Sequence, residues 1–255
     1  MPVISIAIQK GGAGKTTTAI NLAGALQLAG KKTLLVDADP QANLTQSLSV
    51  SDQLEHNLYT ELLKEISGLE SDLSQVIIKT KSGLQIVPST IDLARGELEL
   101  VSVYGREQVF SWMLADLKNK FDFIFIDCPS AFGILTVNAL VAANHVLIPI
   151  QSSYFALEGT DDLLETIEKI RSRPNPELNL LGVLVTLFDK RTLLSKDVDA
   201  HIRKVFGPKT FKTVITRSVR LEESPAHKKP IMYYAPRSSG AEEYDNLAKE
   251  VLKRV

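Results

Sequence analysis

One short stretch, QKGGAGKTTT at residues 9–18, constrains this chain more than any other. It follows the apolar, β-branched run Val3–Ile8 and opens the segment Lys15–Ala29, where apolar residues recur at helical spacing up to Gly30. A strand that enters a glycine-rich turn and leaves it as a helix is typical of a phosphate-binding loop. The plain alternative is a glycine-rich surface turn, which this context disfavours.

The residue types of the loop suit phosphate. Gly11, Gly12 and Gly14 let backbone N–H groups turn inward around phosphate oxygens, where side chains would obstruct them. Lys15 can reach the β- and γ-phosphates, and the Thr16 hydroxyl can bind Mg²⁺. The helix that begins near Lys15 adds the positive end of its dipole. The sequence therefore predicts a nucleotide site.

The loop departs from the ordinary pattern G-x-x-x-x-G-K-[ST], because Gln9 replaces its first glycine and a second lysine, Lys10, precedes Lys15. KGGAGKTT resembles the deviant Walker A loop of the ParA/MinD family of ATPases. The resemblance implies ATP and Mg²⁺ as cofactors, catalytic roles for Lys10 and Lys15, and a dimer in which Lys10 reaches the partner's nucleotide. The nucleotide-binding residues it implies are Lys10, Gly11, Gly12, Ala13, Gly14, Lys15, Thr16 and Thr17.

Composition excludes several classes of protein. The 255 residues are 44% hydrophobic, enough to bury a large core. The single cysteine, Cys128, excludes a disulfide framework and fits a reducing compartment. No apolar run approaches the roughly 18 residues that span a bilayer, and the apolar start at Val3 has no basic flank like that of a signal peptide. We therefore expect a cytoplasmic protein.

Apolar runs alternate with helical patterns along the chain. The predicted strands are Val3–Ile8, Thr33–Val36, Leu84–Val87, Phe123–Ile126, His145–Ile150, Leu180–Leu187 and Thr213–Ile215. The predicted helices are Lys15–Ala29, Ile91–Leu100, Arg106–Lys118, Gly133–Ala142, Leu157–Arg171, Ser195–Val205 and Ala241–Lys253. This pattern predicts a doubly wound α/β P-loop fold, with a mostly parallel twisted sheet and helices on both faces. We expect one domain over residues 1–255, with small helices and loops at residues 49–82.

Two acidic segments follow predicted strands. Asp37 and Asp39 lie at the carboxyl end of the second strand, where parallel sheets bind ligands. Alternating aspartates in a turn are otherwise helix caps. DADPQ resembles the second acidic motif of the family, which implies that Asp39 is catalytic and organises the attacking water, and makes it a further candidate for the metal. Asp37 is interpreted as supporting Asp39.

The second acidic segment is FDFIFIDCPSAFG. Its apolar run delivers Asp127 at a strand end, the Walker B arrangement for Mg²⁺, so that Thr16 and Asp127 are the predicted metal residues. The family usually continues DCPPSLG, whereas Ser130 replaces the second proline here. Cys128 has no histidine near it in sequence and is interpreted as a core residue rather than a nucleophile.

The C-terminal part extends the resemblance and carries segregated charge. Residues 190–237 contain twelve basic and four acidic residues, a net charge of +8, which leaves −9 for the rest of the chain. Such segregation in a nearly neutral chain is typical of a polyanion-binding surface. Arg191 and Arg220 match positions that bind DNA in the short partition ATPases. Thr216 and Lys228 depart from the base-binding pattern of the family, so no adenine contact is predicted.

Other members of the family fit less well. The nitrogenase iron protein holds its cluster on paired cysteines, which a chain with one cysteine cannot supply. MinD-like members end in a basic amphipathic membrane helix, whereas the final segment AEEYDNLAKEVLKRV is rich in acidic residues and is predicted to pack on the core. We therefore expect no membrane binding.

The resemblance is closest to ParA-type partition ATPases of the short form, without an N-terminal helix-turn-helix. It implies an ATP-dependent homodimer that binds double-stranded DNA without reading sequence, associates with the nucleoid, and is released when a ParB-like partner stimulates hydrolysis. Two alternatives stay open: an ATPase that positions a protein cargo, such as a carboxysome or chemosensory cluster, and a MinD-like regulator of cell division. The site residues would be identical for a protein cargo, because the adaptor sets the cargo.

Overall fold

The computed structural model describes residues 1–48, 54–153 and 160–255, and within these ranges eight strands form one sheet. The strands are β1 (Val3–Ile6), β2 (Thr33–Asp37), β3 (Ile78–Lys79), β4 (Gln85–Val87), β5 (Phe123–Asp127), β6 (His145–Gln151), β7 (Asn179–Phe188) and β8 (Thr210–Thr216). Their order across the sheet is β3-β4-β2-β5-β1-β6-β7-β8. The short β3 pairs antiparallel with β4, and the other neighbouring pairs are parallel. The predicted mostly parallel sheet is confirmed.

Helices connect the strands. They are α1 (Lys15–Leu28), α2 (Asn43–Leu48), α3 (Leu58–Ile66), α4 (Leu93–Leu100), α5 (Val109–Met113), α6 (Ile134–Ala142), α7 (Thr160–Ser172), α8 (Leu193–Phe206), α9 (Val219–Glu223), α10 (Ile231–Tyr234) and α11 (Ser239–Val251). Short 3₁₀ helices cover Leu73–Val76, Ala115–Leu117, Gly207–Lys209 and Ser224–His227. Parallel strands need such crossover connections, because a tight turn joins only antiparallel neighbours.

The central strands are buried on both faces, which explains their continuous apolar sequences. Alternate residues point to opposite faces of the sheet. Val3 and Ile124 therefore join the core beneath α3, α5, α6 and α7, whereas Ile4 and Phe125 join the core beneath α1 and α11. Two apolar cores thus pack on the opposite faces of the sheet and hold its strand ends in fixed positions.

The differences from the predicted elements are local. The predicted helix Arg106–Lys118 begins later in the structure, at Val109. Gly105 turns with a φ of 68°, and the Asn138 side-chain amide donates a hydrogen bond to the carbonyl of Arg106, which an earlier helical turn would otherwise use. The two-residue β3 is too short for a sequence pattern, and the stretch 49–82 contains α3 as well as a 3₁₀ helix. Part of that stretch, and the first residues of the predicted helix Leu157–Arg171, lie outside the described residues.

The parallel topology brings separate chain segments to one edge. The carboxyl ends of β1, β2 and β5 are neighbours, and Asp37 is the cross-strand partner of Asp127. The glycine loop leaves β1 at the same edge, so that the loop and both acidic segments converge there, as is usual for ligand sites in such sheets. Among the described residues no helix is both long and apolar enough to cross a membrane.

Candidate functional site

The glycine loop has the backbone conformation of a phosphate cradle. Gly12 and Gly14 have φ values of 74° and 86°, in the left-handed region that favours glycine. Gly14 caps α1, and its carbonyl accepts the N–H of Thr18 at 2.8 Å. The Thr186 hydroxyl of β7 donates to the carbonyl of Ala13 at 2.8 Å. The loop is therefore held by its own helix and by a strand across the sheet.

Lys15 lies buried at the start of α1, and its ammonium group has three acceptors. The Nζ atom donates to Ser130 Oγ at 2.7 Å, to the carbonyl of Lys10 at 3.3 Å and to that of Ile8 at 3.5 Å. Burial lowers the pKa of Lys15, and the nearby Asp127 carboxyl opposes that change. A buried ammonium held by neutral oxygens can turn toward an incoming phosphate, which would compensate its charge.

Asp127 ends β5 directly beside the loop. The Thr16 hydroxyl donates to its Oδ2 atom at 2.7 Å, while its buried Oδ1 atom has no hydrogen-bond partner within the part of the chain that the structure describes. Burial, followed by the charge of Asp37, raises the pKa of Asp127 well above its ordinary value. An unpartnered buried carboxylate oxygen is costly, and a cation or its bound water would satisfy it.

This donor set fits Mg²⁺. The ion takes few protein oxygens and keeps several waters and phosphate oxygens, so that one hydroxyl and one carboxylate suffice. The described residues contain no cluster of three or more His, Cys, Asp or Glu side chains that could hold a metal without such help. Thr16 and Asp127 would therefore hold Mg²⁺ together with a nucleotide rather than alone.

The two aspartates after β2 differ in their surroundings. Asp37 is buried and accepts hydrogen bonds from the Thr45 N–H at 2.8 Å, the Thr45 hydroxyl at 2.6 Å and the Asp39 N–H at 3.3 Å. Burial raises the pKa of Asp37 to about 7. Asp39 is half-buried, and its Oδ1 atom accepts the Gln41 N–H at 2.9 Å. Asp37 thus holds the turn that presents Asp39, in agreement with the supporting role inferred for it.

A cavity of about 440 Å³ opens above these groups. The predicted residues that line it are Gly12, Ala13, Gly14, Lys15, Thr16, Thr17 and Asp39. Lys10 and Gly11 are not among the described residues that line it, and the Lys10 ammonium contacts the Ser153 hydroxyl at 3.4 Å. Cys128 lies in the core with a pKa raised by burial, as expected for a structural rather than a reactive thiol.

The far wall of the cavity was not predicted from sequence. It comes from the end of β8, the segment that follows it, and α11, and its residues include Ile215, Thr216, Ser218, Leu221, Pro225 and Tyr244. Glu243 of α11 accepts both the N–H of Thr216 at 2.9 Å and its hydroxyl at 2.7 Å. The carboxyl end of a parallel strand indicates a ligand site, which could have pointed to this wall. Because Thr216 departs from the base-binding pattern of the family, however, the sequence predicts no nucleotide contact there.

A second cavity of about 580 Å³ adjoins the first, and both are lined by Thr216 and Glu222. Lys190, Arg191 and Arg217 line it, and Arg220 follows the lining residue Val219 in the chain. We call these four residues the basic surface. Each arginine of this surface has an acidic partner in the same chain.

The three pairs differ in geometry. Arg191 forms two bonds to Asp189, at 3.0 and 2.8 Å, which lower the pKa of Asp189 to about 2. Arg220 lies 3.1 Å from Glu223, and Arg217 lies 3.6 Å from Glu222. The side chains of Arg191 and Arg220 remain 87% and 61% exposed. Both predicted DNA-binding residues are therefore accessible.

The final helix packs on the core as predicted. Tyr244, Leu247, Ala248 and Val251 of α11 are buried against the core that also contains residues of α1. The apolar face of this helix is thus covered by the protein itself.

The chain is similar to known proteins over almost its whole length. The family described as an AAA domain matches residues 1–180. The sporulation initiation inhibitor protein Soj of Bacillus subtilis is 45% identical over 252 residues, which cover 98% of this chain and 97% of that protein. The chromosome-partitioning ATPase Soj of Treponema pallidum is 44% identical, with 96% and 95% covered.

A solved structure has the same fold and a filled site. The crystal structure named cobyrinic acid a,c-diamide synthase, from Mycobacterium smegmatis, has a TM-score of 0.86 and 35% identity, and the match covers 99% of this chain and 95% of that one. That crystal contains an ATP analog and magnesium. A similar protein thus binds an analog of the predicted nucleotide together with the predicted metal.

Proposed function

The chain belongs to the ParA/MinD family of ATPases and is a relative of the Soj chromosome-partitioning proteins, and from this premise we propose that it is a DNA-partition ATPase. In the proposed cycle an ATP-bound homodimer binds double-stranded DNA without reading its sequence. Hydrolysis, stimulated by a ParB-like partner, releases it. The cycle would segregate a chromosome or a plasmid. The protein would be cytoplasmic, would associate with the nucleoid and would not bind membrane. Residues 1–255 would act as one domain, since their described strands share one sheet.

One observation carries the nucleotide part of the proposal. Lys15 and Thr16 line the cavity, and the buried Asp127 accepts the Thr16 hydroxyl and keeps one oxygen with no hydrogen-bond partner in the described chain. The ammonium would pair with the β- and γ-phosphates of ATP, and the hydroxyl and carboxylate would hold Mg²⁺, directly or through water. Bound Mg²⁺ supplies neutralisation of the charge that develops on the phosphates.

Asp39 is proposed to orient the attacking water. It lines the cavity on a turn held by Asp37, and its carboxylate is half-buried rather than enclosed. A carboxylate placed there can accept a hydrogen bond from water near the γ-phosphate.

Lys10 is proposed to act on the partner's nucleotide. It precedes the cradle and does not line the cavity of its own chain among the described residues. Lys15 already serves that cavity, so a second cation has most effect where the phosphates of another subunit arrive. This role agrees with the resemblance noted from KGGAGKTT.

The basic surface supports the DNA part. Surface ion pairs contribute about 0–1 kcal/mol, so Arg191 and Arg220 can exchange their carboxylate partners for DNA phosphates at small cost. The cavity beside this surface shares Thr216 and Glu222 with the nucleotide cavity, so that a bound base would lie next to the DNA-contacting segment. Dimerisation would double the number of phosphate contacts and convert weak binding into useful binding.

The experiment is co-sedimentation of the purified protein with random duplex DNA and, in parallel, with anionic liposomes, each with ATP, ADP or no nucleotide. We expect binding to DNA with ATP and Mg²⁺, weak binding otherwise, and none to liposomes. ATP-dependent binding to liposomes without DNA binding would favour the MinD-like alternative instead. Binding to neither would leave an ATPase whose cargo is protein.

A further inference from the structure

Ser130 makes the shortest of the three hydrogen bonds to the Lys15 ammonium. Its Oγ atom lies 2.7 Å from Nζ, against 3.3 and 3.5 Å for the two backbone carbonyls. Ser130 belongs to the loop after β5, is half-buried and lines the nucleotide cavity. A hydroxyl therefore stands in the phosphate site at the position where the family sequence usually has a proline, which offers no donor.

The hydrogen-bonding capacity of this pair is only partly used. A lysine ammonium has three donors, and Lys15 directs them to Ser130, Lys10 and Ile8. A serine hydroxyl has two acceptor positions and one donor. Because Ser130 Oγ accepts from Lys15, its hydroxyl hydrogen is available, and among the described residues it donates to no acceptor.

The position of Ser130 favours the terminal phosphate over the others. Backbone N–H groups of a phosphate loop enclose the α- and β-phosphates, and its lysine reaches on to the β- and γ-phosphates. Ser130 comes from a different element, outside that loop, and meets the lysine at its ammonium end. A phosphate oxygen that replaced the carbonyl of Lys10 or Ile8 as an acceptor of the Lys15 ammonium would therefore lie within reach of the Ser130 hydroxyl.

We propose that Ser130 is a positioning residue for the γ-phosphate. It orients the Lys15 ammonium before nucleotide arrives, and it donates a hydrogen bond to a γ-phosphate oxygen once ATP is bound. The site thereby distinguishes ATP from ADP through a side chain. This inference rests on the proposed ATPase function, because it needs a triphosphate in the cavity.

A contrary role is a lock, in which Ser130 holds Lys15 away from phosphate. The two roles have opposite consequences. Removal of a donor to the γ-phosphate lowers the affinity for ATP and leaves the affinity for ADP nearly unchanged. Removal of a lock raises the affinity for both nucleotides.

The experiment measures dissociation constants for a non-hydrolysable ATP analogue and for ADP, with Mg²⁺, by titration calorimetry. The variants are Ser130→Ala and the shape-matched pair Ser130→Thr and Ser130→Val, which differ in a hydroxyl. The control is Ser172→Ala at the exposed end of α7. We expect Ser130→Ala and Ser130→Val to lose about ten-fold in affinity for the analogue and less than two-fold for ADP, since a hydrogen bond to a charged group is at stake. Ser130→Thr and Ser172→Ala should keep the wild-type ratio.

Several results would overturn the inference. These are an equal loss for both nucleotides, tighter binding in the variants that lack the hydroxyl, or the same ratio for Ser130→Thr and Ser130→Val. Failure of the wild-type protein to bind either nucleotide would instead refute the proposed ATPase function, so the two failures can be told apart. The Thr and Val pair keeps the test valid if Ser130→Ala does not fold.

Discussion

The nucleotide cavity and the basic surface are neighbours that share Thr216 and Glu222, yet they are built in opposite ways. At the nucleotide site Lys15 and Asp127 are buried, and each makes a short hydrogen bond to a residue of another element. On the basic surface the arginines are exposed, and each is paired with a carboxylate of its own chain. The first region is arranged before its ligand arrives, whereas the second must exchange partners.

The difference has an energetic meaning. Buried polar groups are expensive to leave unsatisfied, by about 1–3 kcal/mol for a neutral group and more for a charged one. Exposed ion pairs contribute about 0–1 kcal/mol. Substitutions in the cavity should therefore abolish a function, and substitutions on the basic surface should change an affinity gradually. Each prediction below can break or sharpen this contrast.

The largest effect is expected for Lys15→Ala. It removes the buried cation that faces the phosphates, so that ATP affinity should fall by at least about a hundred-fold, and ATP-dependent dimerisation and DNA binding should disappear with it. Calorimetry with ATP and Mg²⁺ measures the loss, and Lys120→Ala at an exposed position serves as the control. Wild-type ATP affinity in a folded Lys15→Ala protein would refute the phosphate-loop assignment.

Asp39→Ala should separate binding from hydrolysis. The phosphate contacts of the loop survive, so ATP affinity should change by no more than about three-fold, while kcat should fall by about a hundred-fold or more because the water loses its orienting carboxylate. The variant should accumulate as an ATP-bound dimer. Phosphate release and light scattering measure the two properties. Undiminished turnover would show that Asp39 only caps the turn with Gln41.

The Lys10→Ala variant should fail at dimerisation, a step that the Asp39→Ala variant should still complete. If Lys10 pairs with the partner's phosphates, its loss should weaken the ATP dimer by about 2 kcal/mol, or roughly thirty-fold, while the monomer binds ATP normally. Light scattering across a range of protein concentrations gives the dimer constant. Normal dimerisation and turnover would remove the reason proposed for the second lysine.

Arg220→Ala and Arg191→Ala test the basic surface. Each phosphate contact adds roughly one to the slope of log affinity against log salt, so one substitution, present twice in a dimer, should lower the slope by about two and weaken DNA binding at all sequences alike. ATP-driven dimerisation should persist. The matched control is Arg171→Ala, whose arginine forms a similar i,i+3 pair with Glu168 on α7. An unchanged slope in both variants would refute this DNA interface.

The contrast also explains what could be predicted from sequence. The glycine loop and Asp127 could be predicted, because a strand, a turn of glycines and a capped helix fix the backbone locally, and a parallel sheet brings its strand ends together. The fold class followed from the same alternation of strands and helices. These features depend on neighbours in sequence and on general topology.

The remaining features depend on contacts between distant segments. The bond between Lys15 and Ser130 joins residues 115 positions apart, and the bond between Thr216 and Glu243 builds a wall of the cavity from two late elements. No local sequence pattern predicts either contact. The carboxylates beside the arginines are different, because they lie within five residues of their partners in sequence; the charge count of residues 190–237 predicts a basic surface but does not say which residues pair.

The smallest effect, and the sharpest test of partner exchange, is expected for Glu223→Gln. Glu223 lies 3.1 Å from Arg220 and also accepts the Tyr234 hydroxyl at 2.9 Å, a contact that lowers the pKa of Glu223. Glutamine retains the shape and the hydrogen bond to tyrosine but not the charge, so Arg220 would meet DNA without first leaving a carboxylate. We expect affinity for random duplex to rise about two- to five-fold, in line with the value of an exposed ion pair, and to do so with ATP present.

The control Glu168→Gln breaks the corresponding pair with Arg171 and should change nothing. The rise should vanish in the double variant with Arg220→Ala, because the carboxylate acts only through that arginine. An increase that survives in the double variant would mean that Glu223 repels DNA directly, and no increase at all would mean that the pair does not compete with DNA.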